Sequence, residues 1–159
     1  ITTGMSSLVT VAGEAALDGM PAEEIAKTLQ TLVPKVRVNF VVDTLEYLYK
    51  GGRCNAVENL FGSLLRIKPI VGVKNGSMYV AEKVRGDKRA LERLLTIIGQ
   101  QKEDFSDTVF YLTHTGNLEE SEYIKSELIK RYGPKEVLIY PTGSTVGTYT
   151  GPGGIIITF

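Results

Sequence analysis

The sequence predicts a mixed α/β fold, and two stretches carry most of that prediction. Residues 67–84 contain two strand patterns joined at Asn75-Gly76. Asn-Gly between such runs indicates a hairpin, because both turn positions need positive φ. Residues 108–140 show a strand, an amphipathic helix and a second strand, which is typical of a βαβ unit. Together with the helices described next, these stretches place the chain in the mixed α/β class.

The first part of the chain alternates helical and strand patterns. Helices are predicted at residues 9–17 and 21–33. The second begins with Pro21, at the position where the missing N–H of proline costs nothing, and it repeats apolar residues at helical spacing. A strand is predicted next at residues 36–42, followed by a short helix at 45–50.

The short helix leads to the first candidate site residue. Asp43-Thr44 suits a helix N-terminus, and Gly51-Gly52 ends the helix because glycine takes a left-handed backbone without steric cost. Arg53 therefore follows on a turn, where a guanidinium is placed to meet a carboxylate or a phosphate. From the local pattern alone, an ordinary ion pair or a contact to backbone carbonyls is the simpler interpretation of Arg53.

The second part of the chain continues the alternation. A helix is predicted from Asn55, since Glu58 three residues later resembles a capping box. Pro69 interrupts the first strand of the hairpin, so an edge or a bulge is expected there. The glycine-rich residues 143–154 are predicted to form tight turns before a last strand at 155–157. Further helices are predicted at 87–98 and 117–132.

Bulk properties narrow the classes of function. The 159 residues have room for one ordinary domain, or for one domain and part of another. With 18 basic and 18 acidic residues, there is no electrostatic case for nucleic acid or an anionic membrane surface. No apolar run is long enough to span a bilayer, and the single cysteine, Cys54, favours a reducing, cytoplasmic setting. The opening residues look like a strand exit and a turn before a helix, so the chain is expected to begin inside a domain.

Several candidate sites have a simpler structural interpretation. Residues 143–154 offer backbone N–H groups to an anion, but they lack the Gly-Lys-Ser/Thr of a P-loop and precede a strand. His114 is the only histidine, and no second metal ligand or serine nucleophile accompanies it in the sequence pattern. Cys54 is most simply interpreted as an inert thiol. One apolar group suits either the core or the wall of a lipid cavity: Leu60, Phe61, Leu64, Leu65, Pro69 and Ile70.

Three motifs taken together resemble the DegV family of bacterial fatty-acid-binding proteins. They are VDTLEYL followed by GGR at residues 42–53, LLRIKPI at residues 64–70, and GTYTGPG at residues 147–153. The motifs occur in the order expected for the family, and the resemblance spans essentially the whole chain. It implies a DegV-like fold of two α/β lobes with a long-chain fatty acid bound between them.

The resemblance also implies how the chain is divided. Residues 1–35 resemble the helical end of the N-terminal lobe, and residues 36–159 resemble the C-terminal lobe. The serine- and threonine-bearing turns that hold the carboxylate in the family precede Ile1. The missing part of the first lobe is then expected from a companion chain or from a longer form of this one.

The resemblance changes the interpretation of Arg53 and adds Tyr149 to the head-group site. Arg53 matches the arginine at the lobe junction that is associated with the head group or with handling of the acyl phosphate. Tyr149 stands where the family usually has a histidine that helps to bind the carboxylate; a phenol is neutral at pH 7 and donates one hydrogen bond. The candidates for the acyl-chain pocket or its loop are the six apolar residues named above, with Thr148 and Gly151.

The expected function is that of an acyl-binding protein rather than an enzyme. It presents the carboxylate of a long-chain fatty acid to a separate fatty acid kinase of the dihydroxyacetone-kinase-like type, and it carries no catalytic residue, metal or other cofactor. One alternative is a phosphotransferase or phosphatase that uses Arg53 and the loop at residues 147–154 as an anion site. Another is an interaction module within a larger assembly.

Overall fold

The computed structural model describes residues 3–54, 67–74 and 76–159. Six strands in these ranges form one sheet, in the order β3-β2-β1-β6-β4-β5. The strands are β1 (Val38–Val41), β2 (Ile67–Lys74), β3 (Ser77–Arg85), β4 (Val109–His114), β5 (Glu136–Pro141) and β6 (Ile155–Thr158). The helices are α1 (Thr3–Leu17), α2 (Ala22–Leu32), α3 (Glu46–Lys50), α4 (Asp87–Gly99), α5 (Leu118–Tyr132) and α6 (Ser144–Thr150), with a 3₁₀ turn at Val33–Lys35. The predicted mixed α/β class is confirmed.

The hairpin and the βαβ unit both form as the sequence predicts. Strands β2 and β3 pair antiparallel, and Gly76 takes a φ of +74° in the turn between them. Strands β4 and β5 pair parallel on either side of α5, whereas the other neighbouring strands pair antiparallel. Asn75 lies outside the described residues.

Pro69 occupies a position where a strand tolerates proline. The pairing of β1 with β2 ends at Val41 opposite Ile70, one residue before Pro69 is reached. An irregularity in the pairing of β2 with β3 follows between Ile70 and Val71. The missing N–H of Pro69 therefore falls beside a bulge and beyond the end of β1, where it interrupts no bond to that strand.

The two faces of the sheet carry different cores because successive residues of a strand point to opposite sides. On the first face, Ile155 and Ile157 pack with the buried apolar residues of α4 and α5. On the second face, which we call the cavity face, Phe40 and Ile156 pack with Leu48 of α3. The first face, which we call the helix-covered face, is thus closed by the long helices α4 and α5, whereas the cavity face is covered near α3 by short elements.

One predicted boundary differs from the structure. Helix α1 begins at Thr3 rather than at residue 9, so the opening residues from Thr3 onward are helical and not a strand exit. The hydroxyls of Ser7 and Thr10 donate to the carbonyls of Gly4 and Ser6, which lets these polar residues lie within a helix. The helix predicted from Asn55 lies outside the described residues.

The larger correction concerns the glycine-rich tail. Residues 144–150 form helix α6, where the sequence predicts only tight turns. Glycine, threonine and valine are poor helix formers, so local propensity gives no signal for this helix. It is held by packing against α3 and by hydroxyls that donate to carbonyls one turn back, from Thr148 to Thr145 (2.7 Å) and from Thr150 to Val146 (3.3 Å).

Ion pairs on the helix-covered face give the stability a pH dependence. Hydrogen bonds from Tyr123 and Arg131 hold the pKa of Glu92 below its usual value, and Arg93 does the same for Glu82. A carboxylate with a lowered folded-state pKa stabilises the fold above its unfolded pKa, and this stabilisation is lost as the pH falls through the folded pKa.

We therefore expect the free energy of unfolding, measured by urea titration, to fall from about pH 5 downward. Glu92→Gln should flatten that fall, because it removes one of the carboxylates whose protonation opposes folding. Glu23→Gln on α2, which belongs to neither of these ion pairs, is the matched control, and its stability should fall more steeply with pH than that of Glu92→Gln. If the free energy of unfolding falls as steeply with pH in Glu92→Gln as in the wild type, the stabilising role of the Glu92 carboxylate is contradicted.

Candidate functional site

Two glycine-containing segments pack closely against each other above the cavity face, and we call the contact between them the seam. The seam joins residues 43–53, from the end of β1 through α3, with residues 149–153, from the end of α6 to the turn before β6. A Cβ on Gly51 would lie 2.2 Å from Cδ1 of Tyr149, and a Cβ on Gly151 would lie 2.4 Å from Cδ2 of Tyr47. Each segment thus supplies a glycine against which a tyrosine ring of the other segment packs, and a larger residue would push the segments apart.

Arg53 lies at the inner end of the seam. The positive φ of Gly52, +68°, turns the chain after α3, and the backbone N–H of Arg53 donates to the carbonyl of Leu48 at 2.8 Å. The guanidinium carbon lies 4.8 Å from the centroid of the Tyr149 ring, within the range of a cation–π contact, and Nη1 donates to the carbonyl of Gly51 at 3.1 Å. Within the described ranges, the contacts of Arg53 are thus with a carbonyl and a ring rather than with a carboxylate.

A cavity of about 250 Å³ lies between the seam and the cavity face of the sheet. The described residues that line it are apolar with three exceptions, Arg53, Tyr149 and Thr150. Pockets for small molecules usually measure about 300 to 1,000 Å³, so these walls enclose room for part of such a ligand. The apolar lining residues are Val38, Phe40, Leu48, Val73, Met78, Val146 and Ile156.

The lining residues give the cavity a polar end and an apolar end. Strand β1 leads into the seam, so Val38 at its start lies farther from the seam than Phe40 does. Val73 pairs directly with Met78 near the hairpin turn, at the end of β2 that lies beside the start of β1. An elongated ligand with one charged end matches this arrangement, with the charge at Arg53 and the chain directed toward the hairpin.

Other predicted pocket residues lie in different environments. Ile70 is fully buried in the core on the opposite face, against α4, and so does not line the cavity. Alternation along β2 puts Pro69 on the same face as Val71, the cavity face, although Pro69 is not among the lining residues. Thr148 is exposed, and Gly151 contributes to the seam. Leu60, Phe61, Leu64 and Leu65 lie outside the described residues.

Thr150 is a cavity residue that sequence reasoning missed. It is buried, and its Oγ1 lies 3.0 Å from Oγ1 of Thr115, on the loop after β4. The third motif contains Thr150, but nothing in its sequence distinguishes this threonine from its neighbour Thr148. Phe40 and Ile156 were also missed, because they face the cavity only through the pairing of β1 with β6.

The contacts of His114 and Cys54 are contacts that stabilise the fold. Nδ1 of His114 accepts a hydrogen bond from the backbone N–H of Asn117 at 3.0 Å, at the start of α5. Cys54 is buried in the core of the cavity face. In the part of the chain that the structure describes, no group of three metal-ligating side chains forms, and no helix is long and apolar enough to cross a bilayer.

The chain is similar in sequence and structure to known proteins. The model for the family described as an uncharacterised protein, DegV family, matches residues 1–159. A DegV domain-containing protein of Caldanaerobacter subterraneus is 32% identical over 95% of this chain and 54% of its own length. The chain thus spans about half the length of the curated relatives it matches.

Solved structures share the fold described above. One, which describes fatty acid binding by a DegV family protein from Thermus thermophilus, has a TM-score of 0.88 and 28% identity over 98% of this chain and 56% of that one. The fatty acid kinase B3 protein of Streptococcus pneumoniae, loaded with linoleic acid, has a TM-score of 0.88 over 98% of this chain and 55% of that one. Its identity is 17%, so this second likeness is one of fold alone.

Proposed function

The chain belongs to the DegV family, and on that premise we propose that it binds a long-chain fatty acid in the cavity beneath the seam. The observation that carries this proposal is the cavity itself, with Arg53, Tyr149 and Thr150 at one end and apolar walls along the rest. The guanidinium of Arg53 would receive the carboxylate, since a charged fork of N–H donors matches two carboxylate oxygens. The 28% identical protein of Thermus thermophilus, a structure that describes fatty acid binding, supports the same ligand class.

The acyl chain would supply most of the affinity. Burying about 15 methylenes contributes on the order of 12 kcal/mol before the costs of association and ordering. A hydrogen bond to a charged group adds about 1.5 to 3 kcal/mol. The head-group contacts therefore fix the orientation of the ligand and select an acid over an uncharged lipid. The cavity of about 250 Å³ takes part of the chain. In this proposal the remainder is covered by the other lobe and by the predicted pocket residues Leu60, Phe61, Leu64 and Leu65.

The proposal includes a division into lobes and a partner. Residues 1–35 would belong to the end of the first lobe and residues 36–159 to the second, with the fatty acid held between the two. The complete protein would act in the cytoplasm and present the carboxylate to a separate fatty acid kinase that uses ATP and Mg²⁺, without itself catalysing the transfer. The kinase partner rests on the family resemblance.

The alternative of an enzyme with an anion site at residues 147–154 has little structural support. Three of its N–H donors are already used: those of Gly147 and Gly151 donate to the carbonyls of Gly143 and Gly147, and that of Gly153 donates to the carbonyl of Thr115 at 2.8 Å. An anion would therefore have to displace bonds that hold α6 and the seam. Arg53 is the one charged group among the described residues that line the cavity. A guanidinium binds a carboxylate as well as it binds a phosphate, so Arg53 does not favour the enzyme.

Two assays on the purified full-length protein test the proposal. Lipid extraction followed by mass spectrometry should recover a long-chain fatty acid, and added oleate should be taken up by protein from which lipid has been removed. Absence of both would overturn the proposal. Turnover of a phosphorylated substrate without any partner kinase would instead favour the enzyme.

Tyr149 predicts a flat pH profile for head-group binding. None of the described residues that line the cavity is a histidine, the side chain whose charge usually changes in this range, so the affinity for oleate should change by less than about twofold between pH 6 and 8. Tyr149→His introduces a group that becomes charged toward pH 6 beside the ligand carboxylate, and its affinity should rise about 3- to 10-fold over the same range. Tyr149→Phe is the control and should stay flat. A wild-type profile that rises toward pH 6 would contradict the role of Tyr149.

A further inference from the structure

The outer end of the seam contains a charged contact that lies away from the cavity. Asp43 follows β1, and its carboxylate lies against the turn between α6 and β6. A Cβ on Gly153 would be 2.7 Å from Oδ1 of Asp43, so the turn approaches this carboxylate as closely as a glycine allows. The positive φ of Gly153, +77°, gives a second reason for glycine at this position.

Lys68 ties this carboxylate to the rest of the fold. Its Nζ donates to Oδ1 of Asp43 and lies 2.6 Å from Oδ1 of Asp87, at the start of α4. The side chain of Lys68 is 19% exposed, whereas that of Asp43 is 52% exposed. Burial alone would lower the pKa of Lys68, but Asp43 and Asp87 together raise it, so the lysine stays charged. Glu120 lines the same small space, and its Oε2 accepts a hydrogen bond from Nδ2 of Asn117 at 2.6 Å.

The contacts along the seam form a continuous series. Asp43 lies against Gly153 at the outer end, the Tyr47 ring packs on Gly151 in the middle, and the Tyr149 ring packs on Gly51 at the inner end. The last contact places Tyr149 beneath the guanidinium of Arg53. The two segments run antiparallel through these contacts, so the outer end and the pair that faces the cavity belong to one series of packed groups.

We infer that Asp43 and Lys68 are positioning residues for the head-group site, acting through the seam on Arg53 and Tyr149. The inference rests on the proposed function and deepens it, since it assigns selectivity for the carboxylate to a pair that does not touch the cavity. An exposed ion pair by itself contributes about 0 to 1 kcal/mol to stability, so a purely structural role predicts little change in binding. A positioning role predicts a loss that depends on the charge of the ligand.

The test compares oleate with methyl oleate, which has the same chain and no charge. Asp43→Asn and Lys68→Met in the full-length protein should each weaken oleate binding about 3- to 10-fold and methyl oleate binding by less than about twofold. Lys68→Arg keeps the charge and should bind oleate better than Lys68→Met. Asp107→Asn is the matched control, because it breaks the exposed Lys102–Asp107 pair, away from the cavity, and both affinities should stay unchanged.

A second measurement repeats Asp43→Asn in an Arg53→Ala background. If Asp43 acts through Arg53, the double variant should bind oleate no more weakly than Arg53→Ala alone. Additive losses, or equal losses for oleate and methyl oleate, would overturn the inference. If Asp43→Asn does not fold, the Lys68→Met and Lys68→Arg pair decides the question. A wild-type protein that binds neither ligand would refute the proposed function instead, so the two failures are distinguishable.

Discussion

Arg53→Ala is expected to lower the affinity for oleate by about 10- to 100-fold, because a hydrogen bond to a charged group contributes about 1.5 to 3 kcal/mol. The affinity for methyl oleate should change little, since the apolar walls of the cavity remain intact. Displacement of a fluorescent fatty acid from the full-length protein measures both affinities. The expected difference arises because Arg53 is charged, lines the polar end of the cavity and pairs with no carboxylate in the described ranges.

Two further variants make this prediction specific to the position of Arg53. Arg37→Ala is the matched control, because Nη1 of Arg37 also donates to a backbone carbonyl, that of Pro34 at 2.8 Å, yet Arg37 does not line the cavity. Its affinity for oleate should equal that of the wild type. Arg53→Lys keeps the charge and loses the paired donors, so its affinity should be intermediate. Equal losses for oleate and methyl oleate in Arg53→Ala would show that the residue supports the fold rather than the head group.

Gly151→Ala is expected to reduce the free energy of unfolding by about 2 to 6 kcal/mol, a large share of the total for a domain. Two independent costs contribute. The backbone of Gly151 has φ 71° and ψ 176°, a region almost restricted to glycine, where another residue costs about 1 to 3 kcal/mol. The new Cβ would also lie 2.4 Å from the ring of Tyr47, and such overpacking costs about 1 to 3 kcal/mol.

Two comparisons separate these costs in urea titrations. Gly19→Ala also has a positive φ, +81°, but no neighbouring atom lies near its Cβ, so it reports backbone strain without overpacking. Tyr47→Ala in the Gly151→Ala background removes the overpacking, so Gly151→Ala should cost less there than in the wild type. A loss below about 1 kcal/mol in Gly151→Ala would show that the seam is looser than the contacts indicate.

The elements that the sequence predicts well are those with local causes. The Asn75-Gly76 dipeptide, the pattern of residues 108–140 and the Gly51-Gly52 stop each depend on neighbours along the chain. The structure confirms the hairpin, the parallel pairing and the end of α3 close to the predicted residues. Local propensity and backbone preference are sufficient in such cases.

The features that the sequence does not predict join distant parts of the chain. Tyr47 and Gly151 are about a hundred positions apart, and no periodicity connects them. Helix α6 has weak intrinsic propensity and forms against α3, so tertiary packing decides it. The face to which Ile70 belongs follows from strand alternation and from where α4 packs. The motifs that resemble the family led to Arg53 and Tyr149, but the walls of the cavity required the strand order.

The most direct test of the central claim is the position of the carboxylate in a crystal structure of the full-length protein with oleate. We predict a carboxylate oxygen within about 3.2 Å of a nitrogen of Arg53. The acyl chain should pass Phe40 and Ile156 and extend toward the pair formed by Val73 and Met78. A carboxylate placed at the hairpin end of the cavity, or an oleate bound outside it, would contradict the account.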